Sequence, residues 1–218
     1  MNAERPDDVV VFVGRRGTAG DDRRFLAHAV AGVLGIGRET VVIERRCERC
    51  GGRHGRPIVA APADVDRPEV SLSRADDTVA VAVSFAGPVG IDIESIRAVS
   101  LAPLDPVAFG TIERAALLLA TGPGAERARA SLWTSKEAVL KAAGLGLRID
   151  PLELTVSVPG PGDGAQPTLD AWPGAPFPVR RMQLVRLDPG QGLVGTVAVL
   201  ARGSATALPV TVREVRVI

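Results

Sequence analysis

Two carboxylates stand two positions apart in Gly90-Ile91-Asp92-Ile93-Glu94. On a strand, Asp92 and Glu94 share one face while Ile91 and Ile93 turn to the other. Paired hard oxygens of this kind suit Mg²⁺, which is commonly held by one or two carboxylates together with substrate phosphates. A half-exposed strand with a polar outer face has the same spacing. Further along, Trp133, Glu137 and Lys141 recur every fourth residue and so share one helical face. A Glu–Lys pair beneath a packing Trp accounts for that pattern without any chemistry. The lysine sets it apart, because Lys136 and Lys141 are the only lysines among 26 basic residues. A desolvated ammonium can lose its proton, whereas a guanidinium stays charged.

A second group of residues suits an anion. Cys47 to Pro57 is a turn-rich loop containing Arg49, Arg53, Arg56 and His54, and its glycines permit close backbone approach to a ligand. Cys47, Cys50 and His54 supply three zinc ligands, and no second Cys/His pair completes a tetrahedral site. Ser73 and Arg74 lie at a strand end before an Asp76-Asp77 turn, where both can donate to phosphate or serve as ordinary turn chemistry. Asp21 to Arg24 reads as a solvated first helical turn, and His28 as a half-buried helix residue.

These residues need a scaffold. The chain has 218 residues, 46% of them hydrophobic and 23% charged, which suffices for a core burying roughly 70% of the unfolded surface. The formal charge of +1 excludes a general nucleic-acid binder, so any anion site must be local. The longest uncharged run, Thr78 to Ile91, is too short for a membrane span of about 20 residues. The first residues lack a secretory pattern, and a cytoplasmic location is the expectation.

The patterning predicts a buried strand over Val9–Val13 and a helix over Asp21–Leu34. Strands are expected at Glu69–Leu72, Val79–Phe85 and Val89–Glu94. Ala98 to Pro106 reads as a linker between two halves of similar length. Helices follow over Asp105–Ala120 and Glu126–Ala143, with Gly144 as C-terminal cap. Strands are then expected at Leu152–Val158, Met182–Leu187, Val194–Leu200 and Val210–Val217, with a loop from Pro159 to Pro178. The class is α+β, each half placing helix against a mainly antiparallel sheet.

In this order, Gly90–Glu94, Trp133-Thr134-Ser135-Lys136-Glu137-Ala138 with Lys141, His54-Gly55-Arg56-Pro57 and Leu72-Ser73-Arg74 resemble 4′-phosphopantetheinyl transferases of the surfactin-synthetase-activating type. The resemblance runs from about Asp21 to Val158, beyond which only the strand pattern is similar. It implies two similar α/β halves, residues 1–98 and 99–218, related by a pseudo-twofold axis and forming one catalytic unit, a monomer with coenzyme A and Mg²⁺ in the cleft between halves. It implies transfer of phosphopantetheine from coenzyme A to a serine of an apo acyl or peptidyl carrier protein. Carried over residue by residue, Asp92, Glu94 and Glu137 are the metal ligands, and Glu137 is also the base for the acceptor hydroxyl. Lys141 acts on the leaving phosphate. His54, Arg56, Ser73 and Arg74, joined by Arg24 and Arg45, bind the nucleotide end of coenzyme A. The chain departs from the family pattern at Arg74, where His is usual, and at Leu145, where a basic residue often stands. Two other readings are an inactive coenzyme A-binding module that recruits carrier domains, and a zinc-dependent nucleic-acid binder built on Cys47 and Cys50. The complete set Asp92, Glu94, Glu137 and Lys141 argues against the first, and the charge and missing fourth ligand against the second.

Overall fold

The computed structural model describes residues 9–45, 50–52, 55–60, 66–158, 165–202 and 212–217. Cys47 and His54 lie outside the described residues. Strand β1 (Val9–Arg15), rich in β-branched residues, leads into helix α1 (Ala19–Leu34). Thr18 and Asp21 close a reciprocal capping box at the start of α1, and Gly35 ends it at φ 67°. Strands β2 (Val42–Arg45) and β3 (Pro57–Ala60) form a small ribbon. Three longer strands follow: β4 (Glu69–Ala75), β5 (Thr78–Ser84) and β6 (Val89–Ser95). The remaining elements are α2 (Ile96–Leu101), α3 (Asp105–Ala108), α4 (Thr111–Leu119), α5 (Pro123–Ala142), β7 (Thr155–Ser157), β8 (Thr168–Ala171), β9 (Met182–Leu187), β10 (Leu193–Leu200) and β11 (Val212–Val217).

Two sheets stack between two long helices. The first has the order β11-β1-β5-β4 and is antiparallel except for the β1–β11 pair; the second is antiparallel with the order β6-β10-β9. Alternation along β1 decides which face meets what: Val10 and Phe12 pack with Leu26, Ala29 and Val30 of α1. Val9, Val11 and Val13 instead pack with Ile91, Ile93, Val197 and Val199 of the second sheet. Val139 and Leu140 of α5 cover the outer face of that sheet together with Leu184 and Ala198. The mixed helix and sheet content is the expected α+β. No helix among the described residues is long and apolar enough to cross a membrane.

Strand pairing crosses residue 98. Strand β6 joins β10 and β9 of the later chain, and β11 returns to pair with β1. The expected linker contains α2 and α3, with Ser95 accepting from the Ala98 amide to start α2. The helix expected over Asp105–Ala120 breaks because Phe109 turns extended to bury completely in the α5 core. Helix α5 begins earlier than expected, with Pro123 in its first turn, where the missing N–H costs no bond. Pro151–Glu153 form a 3₁₀ turn capped by Asp150 rather than the start of a strand, and β8 lies within the stretch expected to be loop.

Candidate active site

Even-numbered residues of β6 face α5, so Gly90, Asp92 and Glu94 meet the helix that carries Glu137 and Lys141. Gly90 sets how closely they approach: a Cβ there would lie 2.0 Å from the carbonyl oxygen of Ala138 and 2.5 Å from the Ala142 amide nitrogen. With no side chain in the way, the Lys141 Nζ donates to Asp92 Oδ1 at 2.6 Å, to the Ile91 carbonyl at 3.2 Å and to Ser73 Oγ at 3.4 Å. The Ser73 hydroxyl also donates to Asp92 Oδ1 at 2.9 Å. Two residues earlier on the same strand, Ser71 Oγ accepts the Ile91 amide at 3.1 Å, so serines of β4 bind the edge strand β6 of the neighbouring sheet.

The carboxylates are held in a strained electrostatic state. Burial pushes Asp92 above the usual carboxylate range, opposed by the Lys141 charge and by hydrogen bonds from Lys141 and Ser73. Glu94 is pushed up to about 7 by burial and then by the Asp92 charge, with Glu137 adding to the rise; a hydrogen bond from Trp133 opposes it. Glu137 is raised by burial and by Asp92. Asp92 Oδ2 and Glu137 Oε1 are buried without a hydrogen-bond partner among the described residues. Orphaned hard oxygens whose charges repel one another fit a divalent cation. Among the described residues no three His, Cys, Asp or Glu side chains form a ready-made metal cage, so the Asp92, Glu94 and Glu137 set is not gathered as one. Such a cage is not required for Mg²⁺, which takes much of its shell from phosphate and water.

The expected nucleotide-binding residues divide between places. Ser73 and Arg74 are consecutive on β4 and point to opposite faces, Ser73 to Asp92 and Arg74 to the buried carboxylate of Asp22 on α1 through its Nε. Arg45 donates to the Gly55 carbonyl at 3.3 Å, and burial together with the charges of Arg74 and Arg23 lowers its pKa. Arg24 instead pairs with Asp21 on the exposed side of α1. The charge of Arg23, the residue before Arg24, also acts on Arg45. Arg56 Nη2 bonds Glu69 Oε2 at 2.8 Å, and its Nη1 lies 3.7 Å from where a Gly144 Cβ would stand, just past the end of α5. Leu145 packs half-buried against the α5 core, a role that a basic residue could not fill. Sequence reasoning missed Asp22, since only tertiary packing brings it from α1 to Arg74.

Lys136 has a different fate from Lys141. It is fully buried, with Nζ donating to Glu113 Oε2 and the Ala108 carbonyl at 2.6 Å each and to the Pro151 carbonyl at 2.9 Å. Glu113 is equally well used, accepting the Gly110 amide at 2.8 Å and the Val156 amide at 2.9 Å. This pair ties α3, α4, β7 and the Pro151 turn to the back of α5.

The model of the 4′-phosphopantetheinyl transferase superfamily matches residues 88–174. That segment contains Asp92, Glu94, Glu137 and Lys141, and supports a transferase of phosphopantetheine at the level of the superfamily. Arg45, Arg56, Ser73 and Arg74 lie before it. No curated protein gives a significant match.

Proposed function

We propose that this chain transfers the phosphopantetheine arm of coenzyme A to a serine hydroxyl of an apo acyl or peptidyl carrier protein, releasing adenosine 3′,5′-bisphosphate. The observation that carries the reading is the meeting of Lys141, Asp92 and Ser73 beside Glu137, where β6 and α5 of the matched segment touch β4. Asp92 and Glu137, with Glu94 beside them, are the residues to hold Mg²⁺, which when bound neutralises charge on the pyrophosphate. The raised Glu137 carboxylate accepts the proton of the serine hydroxyl, directly or through a water. The serine oxygen bonds to the β-phosphorus as the phosphoanhydride bond breaks, and Lys141 meets the negative charge left on the departing phosphate. Residues 1–98 and 99–218 form the two halves of one catalytic unit, which acts as a monomer.

Intact mass spectrometry of an apo carrier incubated with this protein, coenzyme A and Mg²⁺ tests the reading. The expected result is a gain of one phosphopantetheine that EDTA abolishes. No gain across fatty-acid, polyketide and peptide carriers, with coenzyme A still bound, overturns transfer.

A further inference from the structure

Arg74 is held in an unusual way. Its Nε bonds Asp22 Oδ2, and among the described residues no acceptor takes its two Nη amines. Asp22 is only 3% exposed, and its second oxygen, Oδ1, has no hydrogen-bond partner. A lone buried carboxylate is costly in free energy, and the arginines around Asp22 offset that cost. Arg45 sits close enough to feel the charges of Arg74, Arg23 and Asp22. With Arg74 bound to Asp22 and the charges of Arg45 and Arg23 acting in the same neighbourhood, positive charge is in excess, as suits the charge of about −1.5 to −2 on a phosphomonoester at neutral pH. A guanidinium tethered by Nε presents its Nη pair as a rigid fork, the geometry that grips phosphate oxygens in two parallel bonds.

We propose that Asp22 is a positioning residue for the phosphomonoester of coenzyme A: it fixes Arg74 by Nε so that the Nη fork, with Arg45 and Arg23, receives the phosphate. This rests on coenzyme A being the donor. Consecutive residues of β4 then serve the two ends of one substrate, Ser73 at the reacting end and Arg74 at the nucleotide end.

The test is calorimetric titration of the full chain with coenzyme A and with dephospho-coenzyme A, which lacks the phosphomonoester. Losing one charge-assisted contact corresponds to about tenfold in affinity. Asp22→Asn is expected to weaken coenzyme A about tenfold more than dephospho-coenzyme A, as is Arg74→Gln. The double variant is expected to add little to either single one, because both remove the same grip. Arg74→Gln changes a partly exposed side chain, so it keeps the test open if Asp22→Asn does not fold. Equal weakening of both ligands, or additive losses in the double variant, overturns the role of Asp22 alone. Failure of the unaltered protein to bind either ligand overturns the coenzyme A reading and this inference together.

Discussion

The two lysines of α5 sit five residues apart in surroundings built on opposite principles. At Lys136 every oxygen and amine has a partner: Nζ has three acceptors, and both oxygens of Glu113 accept backbone amides. At Lys141 the ammonium satisfies Asp92 Oδ1, while Asp92 Oδ2 and Glu137 Oε1 stay unpartnered and burial raises all three carboxylates. Saturation marks a structural staple. Buried polar groups left with unused bonding capacity mark a place where something else is to bind, since native proteins rarely tolerate such groups without function. Position along one helix thus separates a saturated ion pair from one set among unpartnered carboxylate oxygens.

The largest expected effect breaks the chemistry and spares the fold. Asp92→Ala or Glu137→Ala is expected to lower transfer by on the order of 10³-fold, as judged by the carrier mass assay. Urea unfolding of Glu137→Ala should be close to that of the original chain, since removal relieves repulsion among the remaining carboxylates, and Asp92→Ala, which also gives up its pair with the partly exposed Lys141, should cost less than loss of the staple. A matched collapse in stability would place these residues with the staple instead.

Lys136→Met is expected to do the reverse, costing about 3 kcal/mol in urea unfolding because Glu113 is left as an uncompensated buried charge. The folded fraction of that variant should keep its turnover number. Lys141→Ala comes next, lowering turnover about 100-fold while coenzyme A affinity in calorimetry changes less. The opposite split would make Lys141 a binding residue.

The smallest effect is a pH dependence. The folded Glu94 titrates at about 7 against 4.5 ordinarily, so the folded state keeps a proton that the unfolded chain releases. Unfolding therefore liberates a proton between those pH values, and stability falls as pH rises from about 4.5 to about 7. In EDTA, Glu94→Gln should flatten the unfolding free energy across that window. An unchanged slope would mean that Glu94 is solvated.

The β1 strand, α1, the two strands of the β4–β5 hairpin and the strand with alternating Ile and acid residues were all legible in the sequence, because their apolar periods are local. The break at Phe109 was not, because what opposes helix there is burial in a core assembled from distant residues. At the site, Asp92, Glu137 and Lys141 were readable from spacing and resemblance, and the pairing of Arg74 with Asp22 was not, since 52 positions separate them.

Local sequence by itself determined which residues share a strand or helix face, and hence that Asp92 and Glu94 lie on one face of β6 and that Glu137 and Lys141 lie on one face of α5. Only the tertiary structure decided that Lys136 would be consumed by Glu113 and that Ser73 and Arg74 would face different partners. The physical reason is that periodicity fixes direction within an element, whereas partners are fixed by how closely elements pack. Here that closeness turns on Gly90, where the carbonyl of Ala138 occupies the space of a side chain.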